Sequence, residues 1–313
     1  MLQTLREGAG SAFTPFFVVM SEYGMAIGPV ILAFVYWCVD KRIGAWGFFN
    51  LALANLVTNV IKLTACVYRP WVLDSRLHVA PQVAATATGY SFPSGHTATA
   101  FSSNGSIAWW QRRKHTWLAV LMVASALLTG FARNWLGAHT LPDVCAAIGV
   151  SIAIMVVTSL AMRYLDVHPE KDVLFVVIML AVCALASVYV TLKPYPMDYT
   201  PAGTLLVDPH DMTPDFWASV GLVSGWAVSW LVERRFIGFD CGGTKGRKAL
   251  RFFVGVVVLG VILTLFAPIV AASSPDLGDF LECFVVVLVV GCVFPALVKV
   301  VQNRWPLRRA QNA

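Results

Sequence analysis

Charge is scarce in this sequence. Only 13 % of its 313 residues are Asp, Glu, Lys or Arg, against roughly 25 % in a soluble domain. With 58 % hydrophobic residues and a mean hydropathy of +0.71, the shortage excludes a water-soluble globular enzyme, and disorder still more firmly. Paired cysteines are also missing. Cys38, Cys66, Cys145, Cys183, Cys241, Cys283 and Cys292 stand singly with no CxxC spacing. Most lie in apolar runs, where a thiol behaves as a small hydrophobe, so they point to neither a metal site nor a compartment. No internal repeat, low-complexity stretch or appended soluble domain is visible. The start lacks the basic region of a cleaved signal, so none is expected. The net charge of +6 would suit nucleic acid if it were clustered. Instead the basic residues sit in short loops between apolar runs, and no nucleic-acid partner is expected.

A helix needs about 20 largely apolar residues to cross the hydrocarbon. Stretches free of Asp, Glu, Lys and Arg are Tyr23–Val39, Ile43–Ile61, Pro93–Gln111, Thr116–Ala132, Val144–Met162, Val173–Leu192, Phe216–Val232, Phe252–Ser274 and Cys283–Val298. They predict an all-α integral membrane protein, a helical bundle of about nine transmembrane spans. Gly8–Ser21 is shorter and follows a polar start; it reads as an interfacial helix, a re-entrant piece or a tenth span. With alternating spans, one side collects Lys41, Arg42, the 111–115, 163–172 and 233–251 loops and the C-terminal tail with Lys299, Arg304, Arg308 and Arg309. That basic side holds 17 of the 23 Lys and Arg residues; the opposite side keeps Arg6, Lys62, Arg69, Arg76, Arg133 and Lys193. The positive-inside rule makes the basic side, with the C-terminus, cytoplasmic. Some of its cations are expected to meet anionic lipid headgroups. Trp109, Trp110, Trp135 and Trp305 fall near span ends, as interfacial anchors do.

Three polar segments all fall at ends of spans on the side opposite the basic one. They are Lys62-x6-Arg69-Pro70, then Tyr90-Ser91-Phe92-Pro93-Ser94-Gly95-His96, then Gly130-Phe131-Ala132-Arg133-x5-His139-x3-Asp143. Lys62, Arg69 and Arg133 together would repel one another at the bilayer edge unless an anion joined them. Phosphate is the natural guest, since arginine offers it a planar fork and lysine a point charge. Pro93 suits a first helical turn. Ser94 and Gly95 would then present backbone N–H groups at a helix N-terminus, an anion site, with Gly95 allowing close approach. His139 and Asp143, four apart, would share a helix face. The Asp can hold one imidazole nitrogen as N–H and leave the other free. His139 is then a candidate nucleophile toward phosphorus, and His96 a candidate acid for the leaving oxygen.

These segments resemble the type-2 phosphatidic acid phosphatase superfamily of membrane lipid phosphatases, which share a core with the vanadium haloperoxidases. The family pattern is K-x6-R-P, P-S-G-H and S-R-x5-H-x3-D. All is present here except the serine, where Ala132 stands; that removes one hydroxyl near the pocket but no nucleophile, acid or cation. The Trp37–Arg42 turn and the extra C-terminal spans resemble one bacterial branch. The resemblance divides the chain into an interfacial or re-entrant segment (1–22), a phosphatase-like transmembrane core (23–192), and an external loop with a C-terminal transmembrane extension (193–313).

The implied activity is metal-independent hydrolysis of a lipid phosphate or pyrophosphate of the phosphatidylglycerophosphate, phosphatidate or undecaprenyl pyrophosphate class. It would occur at the extracytoplasmic face of the cell membrane, without a cofactor. Lys62, Arg69, Ser94, Gly95 and Arg133 would bind phosphate, His139 would carry the phosphoryl group, His96 would act as acid and then base, and Asp143 would orient His139. Two other readings are a phosphotransferase using the same histidine and a non-catalytic lipid-binding or flipping protein. The oligomeric state is not assigned. His78 and His210 read as plain loop residues, and His115 and His168 lie on the basic side. Asp198, Asp208, Asp211 and Asp215 read as a solvated loop, the Lys245–Lys248 cluster as a membrane anchor, and the valines and aromatics of 252–298 as lipid-facing or packing surface.

Overall fold

Short polar side chains decide where the apolar runs begin to coil. In the computed structural model, which describes residues 2–8, 10–84, 87 and 89–304, Asp40 accepts from the backbone N–H of Arg42 and Ile43 and so caps the helix that follows. Ser94, Thr244 and Ser274 do the same for theirs, each through its hydroxyl. Such caps satisfy donors that a helix start leaves orphaned. The helices are α1 (Leu2–Gly8), α2 (Thr14–Cys38), α3 (Lys41–Ala65), α4 (Pro70–Leu73), α5 (Pro81–Ala84), α6 (Gly95–Gln111), α7 (Thr116–Trp135), α8 (Leu141–Val167), α9 (Asp172–Leu192), α10 (Thr213–Val232), α11 (Lys245–Ala271), α12 (Pro275–Leu288) and α13 (Phe294–Arg304). The only β pairing among the described residues is an isolated bridge, Tyr199 to Leu205. Trp305, Arg308 and Arg309 lie outside the described residues.

Seven helical runs are long and apolar enough to cross a membrane: α2, α3 with its continuation to Leu73, α7, α8, α9 with its preceding turn, α11, and α12 with α13. The chain is an all-α, multi-pass membrane protein. Of the nine expected spans, the two outside that set are α6 and α10, and the reason is their position. α6 packs against α2, α3, α7 and α8, and α10 against α3, α9 and α12. Protein covers most of their surface, so their sequences carry small and polar residues. On α6, Ser102, Ser103, Asn104 and Ser106 are all buried. Asn50 of α3 donates to Ser106 Oγ at 2.7 Å and Asn104 donates to Ser125 Oγ at 2.9 Å.

Two boundaries differ from the sequence expectation. Gly8–Ser21 is not a separate piece: Thr14 starts α2, so Thr14–Ser21 is the outer part of the first long helix, and Glu22 lies inside it. The last long helix starts at Pro275, and Asp276, Asp279 and Glu282 ride on α12. Carboxylates near helix ends hid both starts from a search for uncharged runs.

The C-terminal helices share a core with the N-terminal ones. Trp226 of α10 is fully buried between Tyr36, Phe48 and Phe49. Gly221 and Gly225 let α10 lie directly on α12: an added Cβ at Gly221 would meet the Phe280 carbonyl oxygen at 2.4 Å. Small residues four apart are a common seam between membrane helices. Between α12 and α13 a single π turn, Val289–Val293, shifts carbonyls out of the helical ladder. Two of them accept from α2: Trp37 Nε1 donates to Val290 O at 2.8 Å and the Tyr36 hydroxyl to Gly291 O at 3.1 Å.

The ends of the bundle differ in kind. At the basic end Lys41 pairs with Glu233, Arg234 with Asp172, and Arg42 with Asp166. At the other end the three polar segments meet.

Candidate functional site

α3 carries Lys62 near its last turn, and the chain then continues to Arg69, the residue before α4. Both are buried, at 5 % and 4 % exposure. Arg69 Nη1 donates to the Ala138 carbonyl at 2.9 Å and its Nε to the Gly89 carbonyl at 3.3 Å. The guanidinium therefore ties the residue just before the second segment to the third segment. Its Nη1 also lies 3.1 Å from His139 Nε2.

That contact fixes the imidazole. A guanidinium has donors only, so Nε2 presents its lone pair and the proton belongs on Nδ1. Nδ1 faces Asp143 Oδ2 at 3.5 Å, an electrostatic contact longer than a formed hydrogen bond. The same Oδ2 accepts from Ser91 Oγ at 2.5 Å and from the Thr140 N–H at 2.8 Å. Burial holds the His139 imidazole well below its ordinary pKa; Arg69, Arg133 and Lys62 push the same way, and Asp143 opposes them. Three cations act on one buried, neutral ring.

The helix-face expectation for His139 and Asp143 is corrected here. Thr140 is the N-cap of α8 and Asp143 its third residue, so His139 precedes the helix. The two meet because Asp143 folds back in a capping box with Thr140. The turn before them is held by three bonds: Ala138 N–H and His139 N–H donate to Arg133 O, and Asn134 donates to His139 O. It also needs Gly137, whose φ is +77° and whose added Cβ would sit 2.7 Å from the His78 carbonyl oxygen.

Pro93 is likewise displaced from the expected first helical turn. Ser94 is the N-cap of α6 and Gly95 its first residue, so Pro93 stands just outside. Ser94 Oγ accepts from Thr97 Oγ1 at 2.9 Å, while its backbone N–H donates to the Asp143 carbonyl at 3.1 Å. An added Cβ on Gly95 would lie 4.0 Å from Lys62 Nζ, which puts that ammonium over the start of α6. Next along, His96 Nε2 lies 3.9 Å from Glu22 Oε1, and Arg133 and Lys62 are close enough to act on His96 electrostatically.

Arg133, 1 % exposed, donates through Nη1 to Ser21 Oγ at 3.0 Å, while its buried Nε has no partner. Neither Lys62 nor Arg133 is ion-paired among the described residues. Ala132 is fully buried. All eight expected residues thus lie at one end of the bundle, around the start of α6 and the α7–α8 turn. Among the described residues no group of His, Cys, Asp or Glu is arranged to hold a metal.

Sequence reasoning passed over four contributors. Ser21 and Glu22 of α2 face Arg133 and His96; their only signal was a polar pair interrupting an apolar run. Ser91 and Asn134 lie inside the quoted segments, and only the geometry shows that they bond Asp143 and the His139 carbonyl. Trp135 is corrected too. It does end α7, near a span end, but it is buried against Phe17 and Phe131 rather than facing lipid. Loop 193–212, read as solvated, has two anchors. Tyr68 donates to Asp198 at 2.5 Å, and the Tyr90 N–H reaches the sulfur of buried Met212.

The profile of the PAP2 superfamily matches residues 43–167. A second profile, PAP2 superfamily phosphatase, transmembrane extension, matches residues 217–303. No curated protein and no solved structure matches the chain significantly.

Proposed function

Since the chain belongs to the type-2 phosphatidic acid phosphatase (PAP2) superfamily and carries its transmembrane extension, we propose that it hydrolyses a lipid phosphate or pyrophosphate through a phosphohistidine on His139. The family supports a membrane phosphatase in general; the geometry supports the finer reading. One observation carries it. The Nε2 lone pair of a buried, neutral His139 points at the Arg69 guanidinium, inside a group of cations with too few anions.

In this reading a phosphate enters between Lys62, Arg69, Arg133 and the first N–H groups of α6, and Arg69 turns its donors to the phosphate oxygens. His139 Nε2 attacks phosphorus in line. The P–O bond to the leaving group breaks, and His96, which takes up a proton as the negative charge of the phosphate enters the site, gives that oxygen its proton. The new imidazolium is stabilised by Asp143, whose contact with Nδ1 shortens as charge develops. His96, now neutral, takes a proton from water. The hydroxide attacks phosphorus, the P–N bond breaks, and inorganic phosphate leaves. The cations stabilise the equatorial oxygens throughout, so the residues present need no metal for this step. The site faces the extracytoplasmic side, where a lipid headgroup reaches it while the tails stay in the bilayer. Phosphatidylglycerophosphate, phosphatidate and undecaprenyl pyrophosphate all have that shape.

The test is phosphate release by the purified protein from a panel of these lipids in EDTA. Wild type is expected to be active and inhibited by vanadate, which mimics five-coordinate phosphorus. His139→Ala is expected to lose activity by about 10³-fold or more. Wild-type turnover in His139→Ala would remove the assigned nucleophile.

A further inference from the structure

At the other end of the helices that carry the motifs, α7 and α8 diverge and leave α6 uncovered. The slot between them has a volume of about 850 Å³, within the range of ligand pockets. Its walls run from Arg112 to Phe101 on α6, from Thr116 to Leu127 on α7 and from Arg163 to Ile152 on α8. At 1.5 Å per residue each wall is roughly 15 Å deep, about half of the ~30 Å hydrocarbon. The slot is therefore one leaflet deep and opens on the basic side.

Its mouth is chemically different from its floor. A smaller cavity of about 190 Å³ shares Trp46, Trp109, Arg112, Ser159 and Arg163 with the slot and adds Arg42 and Trp110. Three arginines thus ring the point where an apolar slot meets the membrane surface. Arg112 lies over the Trp109 ring, 3.9 Å from its centroid, and donates to the Trp109 carbonyl. Arg42 pairs with Asp166, which also faces Arg234 at 3.6 Å. Among the described residues neither Arg112 nor Arg163 has a carboxylate partner. The mouth keeps a positive excess, with two tryptophans at headgroup depth.

We propose that this slot binds one anionic phospholipid from the leaflet on the basic side. Its phosphate sits among Arg42, Arg112 and Arg163, and one acyl chain lies between α7 and α8. Charge selects the occupant. A zwitterionic lipid could fill the slot equally well but would bring no net negative charge to the arginines, whereas the guanidinium forks suit a phosphodiester. The depth selects the leaflet. The site is separate from the candidate active site, which lies at the opposite ends of the same helices.

Native mass spectrometry of the full-length protein in detergent, titrated with dioleoylphosphatidylglycerol or dioleoylphosphatidylcholine, tests this. One phosphatidylglycerol is expected to be retained in preference to phosphatidylcholine. Vanadate, which would occupy the opposite end, is expected to leave that count unchanged. Arg112→Gln and Arg163→Gln are each expected to weaken retention about fivefold. Ala124→Phe, which fills the exposed slot from α7 without entering the core, is expected to abolish it. Each variant is compared at an unchanged melting temperature in lipid-free detergent, and Arg112→Met serves if Arg112→Gln fails to fold, with the same loss of retention expected. Equal retention of the two lipids, displacement by vanadate, or wild-type retention in the glutamine or phenylalanine variants would overturn the proposal.

Discussion

Asp143 is the most heavily used side chain of the candidate site. Its Oδ2 serves the Ser91 hydroxyl, the Thr140 N–H and His139 Nδ1 at once. Removing the Ser91 donor leaves that carboxylate buried and underbonded, a loss of about 1.5–3 kcal/mol for a hydrogen bond to a charge. Ser91→Ala is therefore expected to lower kcat about tenfold, the usual order for an outer partner of a functional group, with KM little changed. Steady-state kinetics checks it, and an unchanged kcat would separate Ser91 from the chemistry. The depressed pKa of His139 makes a second prediction. The ring stays neutral down through its ordinary value of about 6.5, so the acidic limb of kcat/KM due to this group lies below that pH. Replacing a neighbouring cation, as in Arg69→Gln, raises the folded pKa and moves the limb upward in the residual activity. The linkage to stability has the same direction: the unfolded chain takes up the proton first, so the contribution of the neutral ring is intact above about pH 6.5 and declines as the pH falls. A limb that stays in place in Arg69→Gln would show that the cations do not control His139. The eight motif residues were legible because their spacing is chemical. Ser21 and Glu22 were not, because only packing brings α2 to the start of α6.

Helices were read from the absence of charge, and that signal is strongest where lipid does the solvating. It marked α11, on which Gly255 is the one buried residue. It blurred at α6, where Ser side chains bond carbonyls of their own helix and Thr99, Asn104 and Ser106 bond side chains of α3 and α7, and at the starts of α2 and α12, where carboxylates ride near the membrane surface. The α10–α12 seam was not legible at all, since glycine in an apolar helix looks the same whether it faces lipid or backbone. The two cases can be told apart by substitution. At Gly221 an added Cβ meets the Phe280 backbone, which cannot swing away, whereas at Gly260 of α11 it meets nothing within 4 Å. Gly221→Val is expected to cost at least about 2 kcal/mol, as overpacking against a rigid partner does. Gly260→Val is expected to stay within about 0.5 kcal/mol of wild type, as a change away from packed contacts does. Thermal unfolding in detergent reads both, and equal effects would mean that the seam is not close-packed.

Across the whole molecule the two ends use their cations differently, and the difference bears on orientation. On the motif side each of the six has a specific task. Arg6 bonds the carbonyls of Trp135 and His78, Arg76 pairs with Asp74, and Lys193 reaches Cys66 Sγ and lies over Tyr195. Lys62, Arg69 and Arg133 build the candidate site. On the basic side Arg113, Lys114 and Lys171 are exposed and make no side-chain bond among the described residues. The positive-inside rule counts the Lys and Arg of short loops and span ends, and the basic side holds most of them. The count of 17 against six supports the proposed orientation, with the motif side outside. A cysteine-free background tests this with two exposed positions, one on each side. Pro201→Cys is expected to react with a membrane-impermeant maleimide in intact cells, and Lys245→Cys only after lysis. The reverse pattern would turn the protein over and move the candidate site, and the headgroups it can reach, to the cytoplasmic leaflet.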